Sequence, residues 1–266
     1  MKEKIGKQKI TEWIKEYIEE YEKRTRTRWG EVQVGFADAK SPEFERLKEF
    51  VVSDHVMPEQ VLAGATIVIS YFLPFRKEMA ATNVGGSTSS PEWALAYEET
   101  NALFGKLNAY LIEKLGEAGV RAAVSPEATA FDRTILKSKW SQRHVAYIAG
   151  LGTFGLNNML ITKKGCCGRI SSLVTDLEAE PDQPQKEENC LYKRLKRCKV
   201  CVNNCPSGAL TTEGYDREIC FGVCKENAKK YHNFGNSYAS DASGEIEDTG
   251  SEVCGKCVVN IPCAFL

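Results

Sequence analysis

The sequence contains no long apolar run and none of the short motifs that mark several common enzyme classes. No stretch of about 18 or more consecutive apolar residues occurs, so we expect no membrane-spanning helix. The motifs GxxxxGKS/T, HExxH and GxSxG are absent, which removes the signatures of P-loop nucleotide binding, zinc-dependent proteolysis and serine hydrolysis. The formal net charge of -1 excludes a strong overall attraction to nucleic acid or lipid.

Cysteine, in contrast, is abundant near the C-terminus. Nine of the 11 cysteines fall in one stretch of the chain: Cys190, Cys198, Cys201, Cys205, Cys220, Cys224, Cys254, Cys257 and Cys263. From Cys198 to Pro206 the spacing is C-x2-C-x3-C-P. Bacterial iron–sulfur proteins carry the run C-x2-C-x2-C-x3-C-P, whose last cysteine ligates the other cluster of a pair. Two [4Fe–4S] clusters need eight thiolates, so the spacing predicts two clusters and one spare cysteine.

Disulfides and zinc are the alternative explanations for so many cysteines. The odd number of cysteines and an N-terminus without a signal-peptide pattern argue against a secreted, oxidised protein. Free thiols and oxygen-sensitive clusters instead fit a reducing cytoplasm. Zinc also binds C-x2-C pairs, and Cys198, Cys201, Cys254 and Cys257 could form a zinc ribbon. A third cysteine followed by proline is not needed for zinc, so clusters are the favoured prediction.

The chain before these cysteines alternates between helical and strand patterns. Residues 66–72 are nearly all apolar and rich in β-branched side chains, which predicts a strand buried on both faces. Ser90-Pro91 places an N-cap serine before a first-turn proline, which predicts the start of a long helix. An acidic segment with two prolines at residues 178–188 predicts a linker. We therefore expect an α+β fold with an α/β domain over residues 1–185 and a cysteine-rich domain over residues 186–266.

The remaining segments give shorter predictions. A glycine-rich turn is expected at residues 150–155, because glycine favours tight turns. Further strands are predicted at residues 32–37, 120–124, 159–162 and 170–176, a helix at residues 133–148 and a loop at residues 79–89.

The segment from Ala149 to Asn157 reads AGLGTFGLN and continues to Leu160-Ile161. It resembles the AGLGxxGxN…LI segment of epoxyqueuosine reductases, and the order of strands, acidic linker and cysteine motifs around it is similar over nearly the whole chain. The resemblance implies a nitroreductase-like α/β sandwich domain followed by a two-cluster ferredoxin-like domain. As in the related reductive dehalogenases, cobalamin would lie between the two domains.

This resemblance assigns one segment to cofactor binding. Its residues are Ala149, Gly150, Leu151, Gly152, Gly155 and Asn157. The three glycines lack a Cβ and would let the backbone approach a flat ligand closely. A plain tight turn between a helix and a strand is the alternative explanation. Flavin sites need no motif, so FMN also remains a candidate for the same cleft.

By position in the family's motifs, the resemblance also implies two sets of cluster ligands. The first cysteine group is Cys190, Cys198, Cys201 and Cys263, and the second cysteine group is Cys205, Cys220, Cys254 and Cys257. Cys224 is left over, and we expect it to be a buried thiol or a substitute for Cys220. Cys166 and Cys167 are expected to be structural, because most buried free cysteines pack as small hydrophobic residues.

The first cluster motif departs from the family pattern. The family opens it with two cysteines at a two-residue gap, which would place a cysteine at Leu195. Here seven residues separate Cys190 from Cys198, and four of the seven are cations: Lys193, Arg194, Lys196 and Arg197. These charges could simply solvate a loop, raise the potential of the cluster or steer an acidic electron donor.

The catalytic position departs as well. The family's proton-donating aspartate falls at Leu136 in this chain. Asp132, one predicted helical turn away, is a candidate replacement. Tyr71 at the end of the buried strand is a second candidate proton or hydrogen-bond donor, and a place in the core is the equal alternative for it. The sequence given ends at Leu266 without the family's C-terminal helical-repeat domain for tRNA. We therefore expect a short form of the family for which tRNA is an unlikely partner.

Together these features predict a cytoplasmic iron–sulfur oxidoreductase. A ferredoxin or flavodoxin would supply single electrons, which would pass through two [4Fe–4S] clusters to a corrinoid and an unidentified small-molecule substrate. The alternative is a ferredoxin-like electron-transfer module without an active site, in which the α/β domain is a docking scaffold. The missing family aspartate favours the module, and the AGLGxxGxN segment favours the enzyme.

Overall fold

The computed structural model describes residues 5–128, 130–235 and 250–266. Its α-helices are α1 (Lys7–Glu22), α2 (Pro42–Phe50), α3 (Pro58–Val61), α4 (Lys77–Thr82), α5 (Pro91–Glu117), α6 (Gln142–Ile148), α7 (Leu191–Leu195), α8 (Val200–Asn203) and α9 (Arg217–Lys230). Its strands are β1 (Gln33–Asp38), β2 (Ile67–Pro74), β3 (Ala122–Ala123), β4 (Gly152–Phe154), β5 (Leu160–Thr162) and β6 (Gly168–Thr175). The fold is therefore mixed α and β. Within the described ranges, no helix combines the length and apolarity needed to cross a bilayer.

Four strands form one antiparallel sheet in the order β1-β2-β6-β3. The central strand β2 pairs with β6 along its whole length, from Ile67 opposite Thr175 to Pro74 opposite Gly168. All eight residues of β2 are buried, which confirms the predicted doubly buried strand. Such burial requires other elements to cover both faces of the sheet.

Helices cover the two faces, and the side chains of β2 alternate between them. Ile67, Ile69, Tyr71 and Leu73 belong to a core that also contains residues of α1 and α5. Val68 packs with α2 and α6, and Phe72 packs with Ala146 of α6. A large aliphatic side chain buried in this way contributes about 1.5–3 kcal/mol to stability. The result is a three-layer arrangement with the sheet in the middle.

The long helix α5 begins where the sequence predicts. The Ser90 hydroxyl accepts a hydrogen bond from the Trp93 N–H at 3.1 Å, and Pro91 occupies the first turn. A serine cap of this kind is worth about 1 kcal/mol. From there α5 runs for 27 residues and buries Leu103 and Leu107 completely.

The predicted helix over residues 133–148 is wrong for its first half. Only α6 is helical, because the Asp132 carboxylate accepts the N–H groups of Thr134 and Ile135 at 2.8 and 3.1 Å. An aspartate that bonds nearby backbone in this way competes with helix formation. Leu136 also takes a left-handed φ of 53°. The predicted loop at residues 79–89 likewise begins inside α4.

The cysteine-rich tail packs into the same core as α1 and α5. Its contributions to that core include Val253, Val258, Val259, Ile261 and Ala264. The buried Lys256 ammonium donates to the backbone oxygens of Asn83 and Gly85 at 2.9 and 2.6 Å. The Asn83 amide in turn donates to the Cys254 oxygen at 2.9 Å. These bonds fix the C-terminal cysteine loop against the segment that leads into α5.

Candidate iron–sulfur site

The first cysteine group surrounds a single cavity. Its four thiols line this cavity together with Gly155, Leu156, Asn157, Ile161, Leu191, Ile261 and Pro262. Cys190 and Cys201 are buried, whereas Cys198 and Cys263 are half-buried. Burial, assisted by the neighbouring Cys263 and Cys190, raises the pKa of Cys201 to about 11. The fold thus brings four predicted ligands from both ends of the tail to one place.

Helix α7 explains the seven-residue gap in the first motif. Cys190 precedes α7 as its N-cap residue, and the helix ends at Lys196 with a left-handed φ of 54°. Cys198 also has a positive φ, of 81°. A short helix with a left-handed exit returns the chain, so both cysteines reach the same cavity. Asn189 anchors the start of this segment, because its backbone and side chain each donate to the β4–β5 hairpin at 2.8 Å.

The second cysteine group also converges, with Cys224 as a fifth thiol. Cys257 lies close enough to Cys205, Cys220 and Cys254 for their charges to raise its pKa, although burial is the larger cause. Cys220 and Cys224 are one turn apart on α9, and the Cys224 thiol donates a hydrogen bond to the Cys220 sulfur. Cys224 is therefore part of this group's immediate surroundings.

Polar and cationic side chains surround Cys220. Its pKa falls to about 6, chiefly because of the hydrogen bond from Cys224. The Tyr215 hydroxyl also donates to the Cys220 sulfur, and Arg143 and Arg217 add positive charge, while burial acts in the opposite direction. Because Arg143 belongs to α6 and Arg217 to α9, the α/β layers and the tail meet at this cysteine.

The donor set consists of thiols. All 11 cysteines are free of disulfide bonds. Within the described ranges, no three histidine, cysteine, aspartate or glutamate side chains converge as closely as the ligands of a single metal ion do. Thiolate sulfur is the donor that iron–sulfur clusters use. Both groups therefore have the donor chemistry for a cluster, and the first group also encloses a cavity.

Cys166 and Cys167 are both buried but have different surroundings. Their N–H groups donate to the backbone oxygens of Cys263 at 2.9 Å and Ala264 at 3.1 Å. The Cys166 thiol also donates to the Cys263 sulfur. Cys167 has no such contribution, and burial alone raises its pKa to about 12. Cys167 thus fits the predicted structural role, whereas Cys166 contacts a predicted cluster ligand.

Protein atoms fill the space beside two of the predicted cofactor-binding glycines. A Cβ at Gly152 would lie 2.2 Å from the Ile161 oxygen, and a Cβ at Gly150 would lie 2.5 Å from a backbone oxygen of the linker. Ala149 and Leu151 are buried. The missing side chains therefore make room for β5 and the linker, and the role of this segment in cofactor binding stays a prediction.

Gly155 and Asn157, in contrast, lie at the cavity of the first cysteine group. The Asn157 amide donates to the Cys257 oxygen at 2.9 Å and lies 3.9 Å from the Cys166 sulfur. A Cβ at Gly155 would lie 2.6 Å from the Asn157 Oδ1. Gly155 thus leaves room for an amide that connects the α/β layers to both cysteine groups.

Tyr71 lies in the core and not at a cleft, which corrects the prediction that it donates a proton to substrate. Its side chain is completely buried and its hydroxyl donates to the Asn108 Oδ1 at 2.9 Å. Burial raises its pKa further above the usual value. The Asn108 amide N–H donates to the Ser171 hydroxyl at 3.1 Å. This chain of hydrogen bonds from Tyr71 connects β2, α5 and β6.

Asp132 lies in an exposed turn beside the second cysteine group. The next residue, Arg133, contacts the Glu252 carboxylate at 2.8 and 3.3 Å. The ring of the preceding residue, Phe131, packs 5.6 Å from the ring of Phe221. Glu252 and Phe221 each lie within two residues of a cysteine of the second group. The structure thus places Asp132 near that group, and its role as a proton donor stays a prediction.

Comparison with known proteins identifies relatives of two kinds. Over 88 residues the chain is 38% identical to a tetrachloroethene reductive dehalogenase of Desulfitobacterium hafniense, covering 33% of this chain and 16% of the dehalogenase. Over 212 residues it is 24% identical to the epoxyqueuosine reductase of Leadbetterella byssophila, covering 74% of this chain and 59% of the reductase. A selenomethionine-labelled epoxyqueuosine reductase structure matches with a TM-score of 0.53 and 17% identity, covering 93% of this chain and 64% of that one.

The chain is similar to epoxyqueuosine reductases and to reductive dehalogenases. The resemblance predicted from the AGLGxxGxN segment and the cysteine pattern is therefore confirmed. No protein-family model matches the chain. It spans less than two thirds of each of the three relatives described above.

His144 is a further side chain near the second cysteine group, on the same helix as Arg143. Its Nδ1 lies 2.7 Å from the Ser141 hydroxyl and its ring centre lies 4.6 Å from that of Phe154. Burial, followed by the charge of Arg143, lowers its pKa to about 4. His144 is therefore neutral at pH 7. Tyr215 belongs to no sequence motif, so sequence analysis gave no signal for its place beside Cys220.

Proposed function

We propose that this chain is an iron–sulfur oxidoreductase of the epoxyqueuosine reductase type that holds two [4Fe–4S] clusters. The first cysteine group would bind one cluster and the second group the other, with Cys263 and Cys205 exchanged between the two halves of the tail. The observation that carries the proposal is the convergence of Cys190, Cys198, Cys201 and Cys263 on one cavity. Similarity to two kinds of reductase supports the reaction class.

The domain arrangement belongs to the same proposal. The three layers within residues 1–185 would correspond to a nitroreductase-like domain, and residues 186–266 to a two-cluster ferredoxin-like domain. The shared core supports a close association of the two parts, because apolar tail residues pack with α1 and α5.

The clusters would supply one-electron transfer, and the chain would bind them, exclude water and adjust their potentials. The thiols would bind iron. Leu156, Ile161 and Ile261 line the first cavity with apolar surface and limit the access of water. Asn157 holds the Cys257 loop by its bond to the backbone oxygen.

Two of the six residues predicted to bind a corrinoid, Gly150 and Gly152, direct their Cβ positions at protein backbone. Support for cobalamin comes from the similarity to epoxyqueuosine reductases and reductive dehalogenases, and FMN has no support beyond the absence of a required motif. Cobalt and flavin analysis of anaerobically purified protein would decide between the two cofactors.

A ferredoxin-like electron-transfer module is the second candidate function, and Leu136 at the position of the family's proton-donating aspartate favours it. The two functions differ in corrinoid binding. Protein reconstituted anaerobically with cobalamin should retain it through gel filtration if the chain is the proposed reductase, and should lose all of it if the chain is a module.

Electron paramagnetic resonance of the reduced protein tests the pair of clusters. Cys201 of the first group lies near Cys257 of the second, so both clusters would be close together. After dithionite reduction we expect signals of two [4Fe–4S] clusters broadened by their mutual magnetic interaction. A spectrum without any iron–sulfur signal would contradict the proposal.

Replacing Cys166 with alanine should lower the reduction potential of the first cluster. The Cys166 thiol donates to the Cys263 sulfur, and a hydrogen bond to a ligand sulfur stabilises the more negative, reduced cluster. A redox titration followed by electron paramagnetic resonance measures the change. Cys167→Ala is the matched control. If the reduction potential of the first cluster were the same in Cys166→Ala as in Cys167→Ala, the hydrogen bond from Cys166 would have no effect on it.

Cys220 and Cys224 should be able to replace each other as the iron ligand on α9. They are one helical turn apart and joined by a hydrogen bond, so either thiolate can approach the same iron. We expect Cys220→Ala and Cys224→Ala each to keep nearly full iron, and the double variant to lose about half, since each cluster holds four of about eight irons. Loss of half the iron in Cys220→Ala alone would assign the ligand to Cys220.

A further inference from the structure

A dense group of cations lies beside the first cysteine group. Residues 193–199 read KRLKRCK, with five cations and no acidic residue in seven positions. The cationic patch is defined as Lys193, Arg194, Lys196, Arg197 and Lys199, and all five residues are exposed. The patch is a local feature, because the net charge of the whole chain is only -1.

The patch adjoins the cavity of the first cysteine group. Its residues lie between Cys190 and Cys201 in the sequence, and Arg197 and Lys199 flank Cys198. All three cysteines line the cavity. Helix α7 carries the first two cations, and its left-handed end at Lys196 turns the chain. As a result the cations are exposed while neighbouring thiols reach the cavity.

Neighbouring groups leave most of this positive charge available. The Lys193 ammonium lies 3.9 Å from the Glu188 carboxylate, and the Lys196 ammonium lies 5.3 Å from the centre of the Tyr192 ring. In the part of the chain that the structure describes, Arg194, Arg197 and Lys199 take part in no ion pair. Leu195 in the middle of the patch is 52% exposed. An exposed apolar residue ringed by charges resembles the centre and rim of a protein interface.

We propose that the cationic patch is the docking surface for a small acidic one-electron carrier protein of the ferredoxin or flavodoxin class. The inference rests on the proposed function, since the carrier would lose one electron and the cluster of the first cysteine group would gain it. A patch of one sign accelerates encounter with a partner of the other sign and orients it. Small interfaces are sufficient for such transient electron-transfer partners.

Nucleic acid is the competing occupant of a basic surface, and the observations favour a protein. The patch is a single seven-residue segment, the end of α7 and the turn after it, and not a long groove that could follow a phosphate backbone. Its central exposed side chain is Leu195, whereas single-stranded nucleic acid is bound by aromatic rings on which bases stack.

The test uses the anaerobically purified, cluster-loaded chain and an acidic flavodoxin. In the patch variant, Arg194→Glu, Arg197→Glu and Lys199→Glu are combined. The matched control combines Lys23→Glu, Arg24→Glu and Arg26→Glu, which make the same change of charge at exposed residues at the end of α1. The dissociation constant for flavodoxin and the rate of cluster reduction by reduced flavodoxin are measured at low and high salt, and an RNA stem-loop serves as a second probe.

At low salt, we expect the patch variant to bind flavodoxin on the order of tenfold more weakly than the wild type does, and to be reduced by it on the order of tenfold more slowly. Both differences should shrink at high salt, where the charges are screened. The control should stay within about twofold of the wild type, since its charges follow the end of α1 and do not lie beside the cysteines. Equal behaviour of the two variants would overturn the docking proposal, as would tighter patch-dependent binding of the RNA stem-loop. Iron and sulfide are measured on every sample. A wild type that lacks both would overturn the proposed function, whereas a loaded protein with an inert patch would overturn the docking proposal alone.

Discussion

Cys201→Ala should remove about half of the iron and half of the acid-labile sulfide, because each of the two clusters has its own four thiolates. Cys201 lines the cavity of the first cysteine group and is only 9% exposed. Its loss leaves three ligands around one cluster and all of the ligands around the other. Iron and sulfide per chain, determined after anaerobic purification, measure the effect.

Cys167→Ala is the matched control for this experiment. Cys167 is also buried, and its N–H donates to the Ala264 oxygen at 3.1 Å, but burial alone shifts its pKa and no cysteine neighbour does so. We expect this variant to keep all of its iron. Full iron content in Cys201→Ala would contradict the assignment of the first group. Circular dichroism of both variants shows whether the fold is retained.

Gly152→Ala should reduce the free energy of unfolding by more than about 3 kcal/mol, at the upper end of the cost of overpacking. The added Cβ would lie 2.2 Å from the Ile161 oxygen and 2.7 Å from the Ile161 carbonyl carbon. Both atoms are backbone of the paired strand β5, so no side chain can rotate to relieve the clash. Urea unfolding followed by circular dichroism measures the change.

Gly105→Ala should change the free energy of unfolding in the opposite direction. Gly105 is exposed in α5, and nothing lies within 4 Å of its added Cβ. Alanine should therefore stabilise the helix by about 0.5–1 kcal/mol. If Gly152→Ala proved as stable as the wild type, the space beside Gly152 would be open, which would contradict the close approach of the Ile161 backbone.

The elements that the sequence predicted well are those with local signals. Apolar β-branched residues marked β2, and the Ser90-Pro91 pair marked the first turn of α5. The cysteine groups were assigned by position in a motif, and the first of them converges on one cavity. For β2 and α5 the pattern within a few residues determined the structural outcome, whereas the first cysteine group spans Cys190 to Cys263 and was assigned from the family resemblance.

The features that the sequence did not predict depend mostly on contacts between distant segments. Nothing near Gly152 in the sequence shows that its missing Cβ makes room for Ile161, and nothing near Tyr71 shows that Asn108 will take its hydrogen bond. The helix predicted to include Leu136 failed for a local reason, because the Asp132 carboxylate bonds the following N–H groups and forms a turn. The side chains around the candidate site therefore required the structure, whereas the cysteines predicted as ligands were found from the sequence.

Iron, zinc and acid-labile sulfide, measured together on anaerobically purified protein, test the central claim most directly. Two [4Fe–4S] clusters predict about eight irons and about eight sulfides per chain, without stoichiometric zinc. Colourless protein that contains zinc and no sulfide would contradict the account, because the two cysteine groups would then bind single metal ions and could not transfer electrons.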